Sequence, residues 1–453
     1  MKKVEAWVDQ LRAILAVGKE SEAIDFLLTL QPYDQAEIIN LLTFEERQKL
    51  MPLLDDESLA PIFKELESDV ITEVVDSIGG EWASGVLGEM SSDDAADLLG
   101  ELEGEQVEEL LELMETEDAQ EVTALLTHPE ETAGGLMTRE YVTVKRDWSV
   151  GKTLEILRKI APEAETIYYL YVTDAQERLV GVVSLRQLIV AAPETPVGDV
   201  MSENVISVSV GEDQEMVARQ IKKYDFLALP VIDHNRHILG IVTVDDVMDV
   251  LEDEAIEDMS RLAAIQGVSS AGDLWEPAYQ AAMKRLPWLV LLLGIGMLSG
   301  NIIARFEETL ETVLTLALFI PLITDMAGNT GTQALAVVVW GLAIGEFRPR
   351  DLLWLMKREA GVGLIVGIVN GLLIAVGAYI WQGNIWLGFV IGFSLWVTLF
   401  VATMAGTVVP LILFHFNIDP AVASGPLITT INDIIGLTIY FSVATAFMNL
   451  LLN

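Results

Sequence analysis

The chain has 453 residues and no cysteine, and its 68 acidic side chains outnumber 27 basic ones for a formal net charge of −41. Thiol nucleophiles, cysteine-ligated zinc and disulfide frameworks are thereby excluded. Nucleic acid is excluded as a partner as well, because phosphate contacts need basic side chains.

The charge is unevenly placed. Residues 1–275 carry 58 acids and 20 bases, whereas residues 276–453 carry ten and seven. Met1 to Gln10, MKKVEAWVDQ, has no apolar run behind its charges, so no cleaved leader is expected and the N-terminal part is placed in the cytoplasm. Residues 1–130 are rich in Leu, Glu and Asp at helical spacing, as in Leu98, Leu99 and Leu102 followed by Leu110, Leu111 and Met114. Short helices punctuated by Pro32, Pro52, Gly79-Gly80 and Gly104 predict an all-α acidic superhelical domain. Ser91-Ser92-Asp93-Asp94 reads as a helix start, since these side chains cap and acids suit the positive end of the dipole. Asp93 and Asp97 then share one face, by themselves no more than a solvated surface.

Across residues 131–250 the periodicity changes to short β-branched runs alternating with helices, and the segment repeats itself. Gly135–Lys159 matches Asp199–Lys223, and Thr166–Val190 matches Phe226–Val250. Each copy is too small for a good core, so pairing of the two is expected. The repeated Gly181-Val182-Val183-Ser184 and Gly240-Ile241-Val242-Thr243 resemble a tandem CBS-domain pair, an α/β regulatory module. That resemblance implies an Asp three residues after the Ser or Thr for nucleotide ribose, which makes Thr243 and Asp246 the candidates for ATP. The first copy has Gln187 in that place. His234 and His237 read as turn residues.

Residues 251–275 are assigned to a connecting helix whose acidic run begins upstream. Eight acids lie between Asp245 and Asp258, and no base relieves them before Arg261. Asp246, Asp249, Asp253 and Glu257 share a face on which like charges repel. Such a face is best ordered by cations, and carboxylates with water are what Mg²⁺ and Ca²⁺ prefer.

Residues 276–453 contain five apolar stretches, near Leu286–Ile303, Thr312–Trp340, Gly361–Trp381, Trp386–Phe414 and Ala421–Leu452, each long enough to cross a bilayer about 30 Å thick. Pro321, Gly328, Gly331, Pro426 and Gly436 are places where a span can break beside a watery cavity. Lys284, Arg285, Arg348, Arg350, Lys357 and Arg358 fall on one side and Arg305 on the other, which puts the N-terminus inside and the C-terminus outside. Polar residues cluster twice within the spans. Thr324 to Gln333 holds Asp325, Gly328 and Asn329, and Gly425 to Tyr440 holds Thr429, Asn432 and Asp433. A charge at mid-bilayer costs roughly 2.5–3.5 kcal/mol on insertion scales and marks a path or a partner. A carboxylate with hydroxyl and amide oxygens suits Mg²⁺ carrying part of its water, and a two-fold dimer would set two copies of Asp433 face to face.

The whole order resembles the MgtE family of magnesium channels and transporters. The pieces that carry the likeness are ETAGGLMT (Glu131–Thr138), ETIYYLYV (Glu165–Val172), IVTVDDVMDVLEDEA (Ile241–Ala255), GNTGTQ (Gly328–Gln333) and DPAVASGPLITTIND (Asp419–Asp433). The resemblance implies a homodimeric, Mg²⁺-selective channel in lipid of the bacterial inner (plasma) membrane, closed by cytosolic Mg²⁺. It puts the pore carboxylate on Asp433, with Thr429 and Gly425 one and two turns earlier. Regulatory acids map onto Asp225, Asp246, Asp249, Glu254, Glu257, Asp258 and Asp419, and onto Asp93, Asp97, Asp213 and Glu215. Asp325 has no counterpart in that pattern and reads as a second cation site or an internal partner. The alternative is an ion-coupled divalent-cation transporter with Asp433 cycling protons or Na⁺. An enzyme or an anion channel is disfavoured by four scattered His, no Cys and an acidic path.

Overall fold

The computed structural model describes residues 2–66, 68–100, 102, 104–161, 164–268, 276–343, 351–416 and 418–452. Its contacts divide the chain into two compact units, Met1–Leu251 and Glu252–Asn453.

Among the described residues of the first unit, ten α-helices precede the first strand. They are α1 (Lys2–Ala16), α2 (Glu20–Leu27), α3 (Pro32–Asn40), α4 (Phe44–Leu50), α5 (Asp56–Phe63), α6 (Ser68–Ile78), α7 (Gly80–Gly88), α8 (Ser92–Gly100), α9 (Gly104–Leu113) and α10 (Thr116–Leu125). Local chemistry sets several starts. Thr43 and Glu46 form a reciprocal capping box on α4, and Asp55 accepts from the Ser58 amide at α5. The apolar stripes meet in a core that includes Leu27, Ile38, Ile39, Leu50, Ile62 and Phe63, all essentially without solvent contact. That core runs on through Leu98 and Leu99 to Ala133, Met137 and Val247, so these helices and the segment after them share one interior.

The duplicated segment forms two like sheets. β1 (Thr143–Lys145) lies parallel to β2 (Tyr169–Thr173), which pairs antiparallel with β3 (Leu179–Ser184). β4 (Val208–Ser209), β5 (Ala228–Ile232) and β6 (Ile238–Thr243) repeat that order, with Ala228 opposite Thr243 as Tyr169 is opposite Ser184. Helices α11 (Val150–Ile160), α12 (Leu185–Val190), α13 (Val197–Val200) and α14 (Gln214–Tyr224) accompany them. The copies do pair. Tyr171 and Leu179 of the first pack with Ala228, Ile238 and Ile241 of the second, and the Leu179 amide donates to the Arg236 carbonyl at 2.8 Å.

The motif glycines have a steric reason. A Cβ on Gly240 would sit 2.6 Å from the Thr138 carbonyl and against Met137, while one on Gly181 would run into Met201. Met137 and Met201 occupy matching places at the head of each copy, so each copy's leading segment crosses the other copy's last strand.

Helix α15 (Val244–Leu262) is shorter than the expected connecting helix and starts earlier. It ends before Ala264 and Gly267, both at positive φ, and residues 269–275 lie outside those described. The second unit then holds α16 (Ala278–Arg305), α17 (Glu307–Thr312), α18 (Ile320–Ala343), α19 (Leu352–Gln382), α20 (Ile385–His415), α21 (Gly425–Ala446) and α22 (Met448–Leu451). Among the described residues four helices, α16, α19, α20 and α21, are long and apolar enough to cross a membrane. The expectation of five is therefore met at four. The stretch expected over Thr312–Trp340 opens with the end of α17 and a 3-10 turn (Leu314–Phe319), and only then becomes the 24-residue α18. Asp325, Asn329 and Gln333 lower the apolar character of α18.

The expected breaks are also corrected. Pro321 and Pro426 sit in the first turns of α18 and α21, where proline lacks only an amide the helix does not use, and both helices run unbroken through their glycines. Of the bases used for topology, Arg348 and Arg350 lie outside the described residues.

Candidate metal centres

Three helices of the second unit meet where the polar residues lie. A Cβ on Gly328 of α18 would come 2.8 Å from the Thr429 methyl of α21, and one on Gly331 would overlap the Asn432 amide. On the far side, Gly406 of α20 lies against the Gly331 carbonyl. Small residues thus let α18 approach both neighbours at backbone distance, the usual device of packing within a membrane.

This approach sorts the candidate residues into two sets. Gly425, Thr429 and Asp433 recur every four residues on α21 and stay half-buried, on a side the surrounding helices do not close. Asp325 and Asn329 are exposed on α18, joined by a 3.2 Å bond from Asn329 Nδ2 to Asp325 Oδ2. These five can line one polar surface. Gly328 and Asn432 are buried in the α18–α21 contact instead. Asn432 is 1 % exposed, donates from Nδ2 to the Ala327 carbonyl at 3.4 Å, and leaves Oδ1 without a partner.

The start of α21 also meets the end of α15. Leu262 packs on Ala421, Ala423 and Ile428, and a Cβ on Gly425 would lie 3.4 Å from the Leu262 carbonyl. Arg261 bonds to both Asp419 and Glu257, so in this structure a protein cation neutralises Asp419, which also caps the following 3-10 turn.

A second acidic group lies in the first unit. Asp93 in the first turn of α8 is 6 % exposed, and its Oδ1 is buried with no partner. Around it are Asp94, Asp97, Asp246, Glu140 and Glu165. Burial, and then the charges of Asp246 and Asp94, push the Asp93 carboxyl up to about 7. Burial also pushes Glu140 up to about 7, opposed by a 3.0 Å bond from the Ser92 amide and reinforced by Asp93. Asp97 and Glu165 keep solvent contact and shift in the same direction, by reduced hydration first and neighbouring carboxylates second. Lys64 lies 2.8 Å from Asp94 and 3.9 Å from Asp246, too little cation for so many carboxylates. Among the described residues no three acidic or His side chains converge on one ready-made ligand set. A divalent ion here would keep part of its water shell, as Mg²⁺ does.

The remaining candidates are dispersed. Asp213 caps α14 by accepting from the Glu215 amide, Glu215 pairs with Arg219, and Asp225 is the left-handed residue that ends α14. Asp249 lies on the exposed side of α15, while Glu254, Glu257 and Asp258 are half-buried along it.

Comparison with known proteins follows the same division. A family model described as the MgtE intracellular N domain matches residues 30–131, the CBS-domain model matches 133–194 and 197–253, and the MgtE divalent cation transporter model matches 320–443. The magnesium transporter MgtE of Bacillus subtilis is 43% identical over 436 residues, covering 96% of each chain. The one from Enterococcus faecalis is 44% identical over 453 residues, covering 99% of each. The chain belongs to the MgtE family of magnesium transporters.

The family's relatives are named as transporters and not as enzymes, and Mg²⁺ is the transported ion. Helices long and apolar enough to span make this MgtE protein a multi-pass membrane protein. The soluble part of a magnesium transporter shares its fold at a TM-score of 0.52 and 40% identity, covering 56% of this chain and 99% of that one. The cytosolic domain of the Mg²⁺ channel MgtE, solved with ATP, gives 0.52 and 38%, covering 54% of this chain and 99% of that one.

The candidate nucleotide residues of the second copy are engaged with each other in this structure. The Thr243 hydroxyl donates to Asp246, which already faces Lys64. In the first copy, Gln187 accepts from the Ser184 amide and hydroxyl at 2.8 Å and donates to the Val200 carbonyl at 3.0 Å. Sequence reasoning missed Glu140, Glu165 and Lys64. Glu165 opens one of the family-like motifs and so could have been found. Lys64 carried no signal, because only folding brings it to Asp94.

Proposed function

We propose that this member of the family is a homodimeric Mg²⁺-selective channel of the bacterial inner membrane, closed when cytosolic Mg²⁺ binds its acidic sites. The observation that carries the reading is the open polar face made by Asp433, Thr429 and Gly425 with Asp325 and Asn329, in a helix bundle otherwise fit for lipid. Oxygen ligands at that spacing suit an ion that sheds water reluctantly. One chain supplies too few helices to enclose such a face. A two-fold partner would complete it, with α18 as the fifth span and the N-terminus cytoplasmic.

The gate is electrostatic. The carboxylates around Asp93 and Asp246 repel when no divalent ion is present and are drawn together when one binds. The α15 end, seated against the first turn of α21, is placed to pass that change to the helix bearing Asp433. Moving a gate from 1:99 to 99:1 needs about 5.5 kcal/mol of differential binding, which several weakly held ions can share.

Patch recording from proteoliposomes tests this. Unitary currents that reverse with the Mg²⁺ gradient and cease when Mg²⁺ is raised on the cytosolic side are expected. Saturable, pH-linked flux without unitary currents would favour the coupled transporter and overturn the channel.

A further inference from the structure

We infer that Asn432 and Gly331 form a positioning pair: the Asn432 amide occupies the space a side chain at Gly331 would fill, and this fit sets ion specificity by fixing how far α21 stands from α18. The inference rests on the proposed path along Asp433 and goes beyond it, because it takes Asn432 off the ion-lining surface.

Three observations carry it. Asn432 is directed into protein, 1 % exposed, while Asp433 next to it stays half-open. Its Nδ2 donates across the helix contact to the Ala327 carbonyl, four residues before Gly331 on α18. An added Cβ on Gly331 would collide with that amide and would stand 3.0 Å from the Ile428 methyl, so residue 331 has no room while Asn432 is in place. Gly331 cannot retreat either, since its carbonyl abuts Gly406 of α20.

On α21 the ion-lining Asp433 sits one residue from Asn432. On α18, Asn329 and Asp325 lie two and six residues before Gly331 and are exposed, and Thr429 of α21 rests on Gly328. A shift in helix separation therefore changes the spacing between the α21 oxygens and the α18 oxygens. Spacing of that kind decides whether an ion keeping its inner water or a larger, barer one passes more easily.

The test uses full-length protein in liposomes, with Mg²⁺ and Ca²⁺ influx measured at matched incorporation. Gly331→Ala is expected to lower the Mg²⁺ to Ca²⁺ flux ratio by about tenfold, because sites of this kind tolerate only sub-ångström displacement. Asn432→Ala is expected to lower it by a smaller factor. The double variant should return to within about threefold of wild type, since the new methyl fills the space the amide left. Leu437→Ala, a packing loss on the same helix, should leave the ratio unchanged. A double variant no better than the worse single one, or a Leu437→Ala ratio that falls equally, would overturn the inference. Asp433→Ala in parallel separates the two claims. If it abolishes Mg²⁺ flux while Gly331 and Asn432 show no coupling, only the positioning pair fails. If it changes nothing, the path itself fails.

Discussion

At the scale of single residues, the Asp93 carboxyl decides most, because its Oδ1 is buried without a partner. A buried group with no partner costs about 1–3 kcal/mol, more when charged. Asp93→Asn should therefore stabilise the metal-free N-terminal and CBS assembly by about that amount and abolish most of the further gain from Mg²⁺. Denaturant titration of full-length protein with and without Mg²⁺ checks both halves. The pH dependence follows from the same group. Asp93 and Glu140 are held near 7, above their ordinary values of 3.8 and 4.5, so the assembled state binds protons that the separated state releases. Metal-free stability is then greatest on the acid side and falls as pH climbs from about 4 through about 7. A thermal midpoint that drops between about pH 5 and about pH 8, and drops less in Mg²⁺, is the expected outcome. Arg261 offers a further reading, since it serves at Asp419 where a divalent ion was expected. Arg261→Gln should raise the Mg²⁺ needed for half-closure about fivefold, equivalent to ~1 kcal/mol for an exposed ion pair.

At the scale of elements, the duplicated strands and the acidic helices were legible because each carries a local period. The repeat in Gly181 and Gly240 was visible as a motif, and the structure supplies its cause in the crossing of Met201 and Met137. What was not legible depends on distant residues. The polar content of α18 made its span ambiguous, and glycines read as helix breaks proved to be packing sites. Sequence alone cannot tell a glycine that bends a helix from one that admits a neighbour. Asn432 shows the same limit, for its place beside Asp433 suggested a ligand and its direction was fixed only by α18. The packing role has its own test on α19 and α20. A Cβ on Gly392 would collide with the Gly371 carbonyl, whereas one on Gly377 meets nothing within 4 Å. Gly392→Ala should cost about 1–3 kcal/mol in thermal or denaturant unfolding. Gly377→Ala should be neutral or stabilising by up to about 1 kcal/mol, the helix-propensity difference.

At the scale of the whole molecule, the proposed function makes one ion both cargo and signal. The same chemistry, carboxylates short of cations, recurs around Asp93 outside the bilayer and at Asp433 within it. Only the second can select what crosses. The central claim is that Mg²⁺ passes along Asp433, and the measurement that bears on it most directly is Mg²⁺ influx into liposomes carrying wild type or Asp433→Ala, with Ca²⁺ as the competing ion. The account predicts that the alanine variant loses most Mg²⁺ influx and the preference for Mg²⁺ over Ca²⁺. A variant that conducts Mg²⁺ with unchanged selectivity would contradict it.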